Sequence, residues 1–560
     1  MFVSNLKPFG LGRSWRGASK EWRSAAPKLN LIFEATMKHT LLPLLLLCCV
    51  LPAWAQLPNY PVDDERRMGS PEKPPSELQF IGFFFTRLTA SNIAPENEFL
   101  RGQVIGRLFG PNSTSTFPQT AFYGEGRFVP LFVYRPSLLD GLAIFRALLK
   151  VDVTWGDVNY GVGNNVGGAI NAGTVNIQTL LANVELKINP AWNVVIGIQR
   201  IFDNPRDPNV NTLQTNQTSA NRLMFWGTQG VGISTYFNLT PVTIGRLAYF
   251  QLYENFIQID DDVVLLMADA ETRVSGLWEI GGSLWYLYDR GQGEGGVSIL
   301  SQGFNSLLVE YNGGARLQLG QNRYKGDVLW AGANFAYNRE FIGGRLWASA
   351  LTVFNFGNLN ISTPQGASAG NVGIFGFTVH ASLYYKYGQT ANDRVALEVL
   401  YTSGDGNNVS DGQYTGVVTG NTWGSPVGIF SSHRAFLLFP DVQVVNRYYS
   451  AVHDISNMGF GTSAIFLNYF NNLVPNKVLI KVGAAAALAN QTPSGVGRFI
   501  GAELNAELKY TLALFLDLGV SAAYMFNGDF YDSALTRPAT LSTRPQNPWV
   551  VFGTVSWLMF

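Results

Sequence analysis

The sequence is poor in charge, in cysteine, in histidine and in long apolar runs, and each shortage closes off a class of protein. Asp, Glu, Lys and Arg make up 14 % of the 560 residues, against roughly 25 % in ordinary soluble domains. The 39 basic and 39 acidic residues cancel, which leaves no field directed at nucleic acid. The two cysteines, Cys48 and Cys49, fall in a segment expected to be removed, so disulfides and thiolate metal sites are excluded from the mature chain. Histidine occurs only at His39, His380, His433 and His453; no two stand at metal-ligand spacing, and no metal or other cofactor is expected. The longest apolar run, Leu41 to Leu51, is too short for a spanning helix, which needs roughly twenty residues. What is plentiful is glycine, at 59 residues, and aromatic side chains, at 13 %. Few charges with much Gly, Phe, Tyr and Trp suit a sheet that turns one face to lipid.

Met37-Lys38-His39-Thr40 precedes the apolar run, and Pro52-Ala53-Trp54-Ala55 then Gln56 follow it. A short positive region, an apolar stretch and a small-x-small site make residues 37–55 a secretory signal, cleaved between Ala55 and Gln56. A lipoprotein anchor on the paired cysteines is the competing reading, but Leu47 stands where that motif needs a small residue. Residues 1–36 carry Lys7, Arg13, Arg16, Lys20, Arg23 and Lys28 against Glu21 and Glu34, with no apolar period. They read as a misassigned upstream extension, with Met37 the true start; a long basic leader region is the alternative. Residues 56–77, with Pro58, Pro61, Pro71, Pro74 and Pro75, read as a periplasmic linker with too little apolar surface to fold alone.

From residue 78 to Phe560 the chain repeats one pattern, a stretch of alternating residues followed by a turn. In Ala143 to Trp155, Ala143, Phe145, Ala147, Leu149, Val151 and Val153 alternate with Arg146, Lys150, Asp152 and Thr154. Ile500, Ala502, Leu504, Ala506 and Leu508 alternate with Glu503, Asn505, Glu507 and Lys509. Leu514 to Val520 repeats this against Asp517, and Val264 to Val274 against Asp269, Glu271 and Arg273. Successive strand side chains point to opposite faces, so each segment has one apolar and one charged wall. Soluble sandwiches alternate too, but their strands are usually about five or six residues. These are long enough to cross a bilayer at a tilt. Trp155, Trp192, Trp278, Tyr286, Tyr288, Tyr401, Tyr510 and Tyr524 gather near strand ends, as interfacial girdles require.

Short connections are expected at Asn189-Pro190, Leu239-Thr240-Pro241, Ser275-Gly276, Gly343-Gly344, Val474-Pro475-Asn476 and Tyr510-Thr511. Long ones are expected at 91–117, 157–173, 204–227, 290–325, 358–372, 405–456 and 528–546. Short turns alternating with long loops define an all-β, antiparallel transmembrane barrel of about eighteen strands, within a range of about sixteen to twenty. The expected location is a bacterial outer membrane, with its lipids and the barrel-assembly machinery as partners. Phe560 ends the last strand as an assembly signal, with Phe552 and Leu558 expected on its lipid face and Thr554 and Ser556 fitting less well.

Two segments carry a family likeness. Gly197-Ile198-Gln199-Arg200-Ile201-Phe202-Asp203 resembles a Gly-Arg-Gln strand end, with Ile198 in place of the Arg. Tyr401-Thr402-Ser403-Gly404-Asp405, with Asn407, Asn408 and Asp411 and later Phe436-Leu437-Leu438-Phe439-Pro440, resembles a Ser-Gly-Asp strand end and its sequel. Together they resemble the alginate-export family of outer-membrane porins. The resemblance implies an eighteen-strand pore that passes small solutes or an anionic polysaccharide.

Other motifs lead to milder readings. Asp405 to Gly412 has the oxygens of a calcium loop, but Val409 falls on a ligand position and no closing Glu follows. Asp260-Asp261-Asp262 is read as a charged strand end rather than an ion site. Ser431-Ser432-His433 sets a hydroxyl beside a base without an orienting third group, so no catalytic residue and no enzyme activity are expected. Gly161 to Gly173 lacks a phosphate-loop Lys-Ser/Thr.

The polar faces then line a pore. Its expected residues are Arg146, Lys150, Asp152, Glu185, Lys187, Asp269, Glu271, Arg273, Glu279, Arg394, Glu398, Glu503, Glu507, Lys509 and Asp517. A Lys or Arg on the lipid face would cost about 2–4 kcal/mol near the midplane. Acids outnumber bases here, which points to mild cation preference in a wet channel for small hydrophilic solutes, narrowed by a folded-in loop. The bland alternative is that these charges pair across strands and only hold the wall. The alternative function is a non-conducting barrel whose outer loops bind an external partner.

Overall fold

The structure, a computed structural model, describes residues 77–95, 104–109, 114–155, 176–201, 229–254, 257, 259–292, 319, 321–407, 409–418, 435–441, 444–445, 447–536 and 544–560. The signal segment with Cys48, Cys49, Ala55 and Gln56, the linker before residue 77, Gly161 to Gly173 and Ser431-Ser432-His433 lie outside the described residues.

In chain order the strands are β1 (Leu78–Pro95), β2 (Val104–Arg107), β3 (Thr114–Tyr134), β4 (Ala143–Trp155), β5 (Asn176–Asn189), β6 (Trp192–Arg200) and β7 (Gln229–Thr240). They continue with β8 (Thr243–Tyr253), β9 (Val263–Arg273), β10 (Trp278–Asp289), β11 (Arg323–Tyr337), β12 (Leu346–Ser362), β13 (Ser368–Lys386) and β14 (Arg394–Thr402). The last are β15 (Gln413–Tyr414), β16 (Arg447–Ser450), β17 (Thr462–Val474), β18 (Val478–Ala489), β19 (Phe499–Ala513), β20 (Leu516–Asn527) and β21 (Trp549–Met559).

All but β2, β15 and β16 form one ring of eighteen antiparallel strands. Each strand pairs with its neighbour in the chain, β14 pairs with β17, and the ring closes where β1 pairs with β21. Closure removes the unpaired edges that a flat sheet would leave in lipid. Turns such as 190–191, 241–242, 475–477 and 514–515 are short on one side, where β1 begins and β21 ends. Long connections lie on the other.

The outward face is apolar. Leu247, Leu266, Leu284, Phe356, Phe375, Leu467, Val482, Leu504, Val520 and Val551 are all exposed there. Aromatic residues bound this belt. On the short-turn side stand Trp192, Tyr385 and Trp557, with Trp278 packed on Phe335 and Tyr337 at 6.1 and 4.8 Å between ring centroids. Tyr286, Tyr288 and the Tyr524–Phe526 pair stand on the long-loop side.

Three expectations need correction. Tyr510-Thr511 lies within β19; the turn is Leu514-Phe515, where Phe515 takes a left-handed φ of 65°. The segment 358–372 is mostly strand. Asn358 and Asn360 face outward above the apolar belt and so resemble a loop in sequence, while Leu359 is buried inward. On β21 the phase is reversed: Phe552 and Leu558 are buried inside, and Val551 and Trp557 are exposed outside. Phe552 packs on Phe436 of a loop inside the barrel, and Leu558 clusters with inward wall side chains such as Ile81, Leu131 and Val133, which alternation alone does not reveal.

Candidate pore lining and constriction

The expected charged residues lie on the inward faces of their strands, and the structure brings most of them together in pairs. Arg146 and Glu185 meet across β4 and β5 at 2.5 Å. Asp152 receives both forks of Arg127 on β3, at 2.8 and 3.1 Å, with the Lys150 ammonium at 3.5 Å. Asp269 receives Arg246 from β8 at 2.5 Å and the Trp285 indole at 2.9 Å. Arg273 and Arg339 flank Glu279, at 3.4 and 2.9 Å, near the short-turn mouth. Lys509 and Asp517 pair at 2.7 Å. Glu398 accepts the Tyr384 hydroxyl at 3.1 Å and lies 3.5 Å from His380. Arg394 donates to the Ala391 carbonyl and stacks on Phe470. Glu271 is buried, Glu507 is half-buried, and Lys187 is exposed at the end of β5.

Several inward charges were not expected from the sequence: Arg87, Glu125, Arg127, Arg246, Asp289 and Lys481. Arg87 follows Phe83-Phe84-Phe85, and Arg246 stands among Ile244, Leu247, Ala248 and Tyr249. Apolar residues on both faces hide the alternation. Glu125 and Arg127 are separated by Gly126, so no apolar residue marks the lipid side.

The loop between β14 and β17 folds into the barrel. Its first part, with β15, runs parallel to β13. Trp330 donates to the Val418 carbonyl at 2.8 Å, and Asn355 accepts the Val418 N–H at 3.2 Å. Its second part, residues 435–441, 444–445 and 447–461, forms a strap packed inside the barrel. Phe436, Leu437, Leu438 and Phe439 are all buried there. Ala451 and Val452 donate to the Leu437 and Leu438 carbonyls, and β16 pairs with β2.

Wall residues hold it. Glu503 takes the N–H groups of Phe436, Leu437 and Leu438 at 2.8, 2.9 and 2.7 Å. Glu125 takes those of Val445 and Arg447 at 3.4 and 3.0 Å. Arg87 pairs with Asp441 at 2.7 Å, both buried. Phe436 packs edge-on against Phe552, and Lys481 lies 4.5 Å from the centre of the Phe436 ring. Beyond the wall contacts, burial pushes the His453 imidazole down to about 4.

The two segments that carry the family likeness are both wall-to-loop junctions. Gly197 has φ +123°, and a Cβ there would sit 2.4 Å from the Ala182 carbonyl. Asp405 closes its loop on itself, accepting the N–H groups of Asn407 and Thr415 at 2.9 Å each. Among the described residues no three His, Cys, Asp or Glu side chains are grouped to hold a metal ion.

A charged interior inside a closed, girdled apolar wall decides the setting. The protein is an outer-membrane β-barrel. No family model matches the chain, and no curated protein matches it. Among solved structures the barrel is similar to OccAB1 of Acinetobacter baumannii, at 10 % identity over 86 % of this chain and 97 % of that one, with a TM-score of 0.46. It is also similar to the outer membrane protein OpdK from Pseudomonas aeruginosa, at 12 % identity over 86 % and 99 % of the chains, with a TM-score of 0.45. OccK2 (OpdF) of the same organism, solved with glucuronate, matches at 11 % identity over 86 % and 99 %, with a TM-score of 0.45. The strand pairing shows the barrel fold, and the alginate-export resemblance gains no support from any of these comparisons.

Proposed function

We propose that the barrel is a passive channel for small hydrophilic solutes, narrowed by the strap. The observation that carries this reading is the inward row of ion pairs, Arg127–Asp152, Arg146–Glu185, Arg246–Asp269 and Lys509–Asp517, inside a wall that is apolar outside. Charges of both signs favour a wet lumen and weak ion selectivity. The unexpected inward charges, basic at Arg87, Arg127, Arg246 and Lys481 and acidic at Glu125 and Asp289, offset most of the acid excess of the expected set, so little cation preference remains. A strap packed inside the barrel favours small solutes over a charged polysaccharide chain. Pore lining by the fifteen residues named from the sequence belongs to this proposal.

A second reading has its own support. The burial of Phe436 to Phe439 inside the barrel suits a plugged lumen whose outer loops bind an external partner. Single-channel recording of residues 56–560 refolded into planar bilayers separates the two. Discrete conductance steps support the channel, and a folded barrel with none overturns it in favour of the plugged form.

A further inference from the structure

The strap hangs on the wall by its main chain. Glu503 is fully buried on β19, and its two oxygens accept four hydrogen bonds. Oε1 takes the Phe436 N–H and the Asn505 amide, at 2.8 and 2.7 Å. Oε2 takes the Leu437 and Leu438 N–H groups, at 2.9 and 2.7 Å. Three successive amides on one carboxylate form a charge-assisted clamp, shorter and stronger than neutral hydrogen bonds. Glu125 on β3 repeats the arrangement with Val445 and Arg447. Amide donors are common to every residue but proline, so the clamp reads the path of the strap and not its side chains.

We propose that Glu503, seconded by Glu125, is the positioning residue that sets the bore of the channel. The wall carboxylates hold the strap at a fixed depth, and its apolar side chains fill the space that this depth defines. The inference rests on the channel reading for the word bore, but the clamp itself stands apart from conduction. In Glu503→Gln, one oxygen becomes an NH2 donor facing amide donors. The amide can still accept at one side only, so at least part of the clamp is lost.

The test uses the mature chain, without Cys48 and Cys49, carrying a single cysteine at Leu438→Cys. A polar maleimide labels that cysteine at a rate set by local opening of the strap. Glu503→Gln is expected to raise the labelling rate about tenfold or more and to raise single-channel conductance. Glu279→Gln, at the mouth and away from the strap, is expected to leave labelling unchanged. Folding is checked by the heat-dependent gel mobility of the barrel. If Glu503→Gln does not fold, Glu125→Gln with Val445→Cys takes its place under the same criteria. Unchanged labelling overturns the clamp, whatever the conductance. Faster labelling with unchanged conductance overturns the role in setting the bore. Faster labelling with no conductance in any variant, the parent included, upholds the clamp and overturns the channel reading.

Discussion

His453 concentrates the physics of the strap in one side chain. It is 2 % exposed, and burial depresses its pKa from 6.5 to about 4. The folded strap therefore favours the neutral ring, so its stability is full above pH 6.5 and is lost as pH falls toward 4. The loss is on the order of 3 kcal/mol at most. Protease nicking of the strap in the refolded barrel is expected to rise across that window, and His453→Gln should flatten the rise; an equal rise in both proteins would exclude His453 as the cause. A second residue-scale test lies at Gly376, where a Cβ would come 2.3 Å from the Gly416 carbonyl. Gly376→Ala should lift the β15 segment off β13 at a cost of about 1–3 kcal/mol, lowering the urea midpoint and freeing the backbone around Val418 to exchange its amide hydrogens. Neither residue was marked in the sequence. Their roles come from contacts between segments far apart in the chain, which no local pattern encodes.

Strands were far more legible. Ala143–Trp155 and the charged faces of β9, β19 and β20 follow from period-two alternation, because a one-residue slip would turn every charge into lipid. The signal fails where both faces carry apolar groups. β8 is the case in point: its inward Arg246 is only 1 % exposed and sits among apolar residues on both faces. Asp269→Asn removes the carboxylate that Arg246 meets, and breaking such a buried pair typically costs about 3–5 kcal/mol. The double change Arg246→Met with Asp269→Leu should recover much of that loss. Urea titration of the three proteins checks this, and a double variant as unstable as the single one would refute it. The pairs Arg127–Asp152, Arg146–Glu185 and Arg246–Asp269 also tie β3 to β4, β4 to β5 and β8 to β9, so these charges help to hold the wall.

For the molecule as a whole, the separation of an apolar outer face from a charged inner one sets its stability in lipid. Val520 faces lipid and is exposed, while Thr554 lies on the inner face of the adjoining strand, opposite Gly519. Val520→Lys should destabilise the barrel by about 2–4 kcal/mol. Thr554→Lys should cost little, and equilibrium refolding into lipid vesicles compares them. Under a salt gradient the channel should show a reversal potential close to zero, since inward charges of both signs are interleaved and paired. The number of strands was readable because long and short connections alternate. The strap was visible only as the run Phe436 to Pro440, whose apolar side chains need a partner that the sequence does not name.

The strap also bears on the order in which the molecule can be built. It belongs to the chain between β14 and β17, yet it is held by Arg87 on β1, Glu125 on β3, Glu503 on β19 and Phe552 on β21. Those strands stand on both sides of the seam where the first and last strands of the ring meet. Its full set of anchors therefore exists only after the seam has shut. Seating of the strap becomes the late event of folding, and it ties the seam from within like a clasp. In a pulse-labelling experiment, protection of the strap amides should lag behind protection of the neighbouring hairpins. A barrel lacking the clasp should close at the same rate and reopen faster.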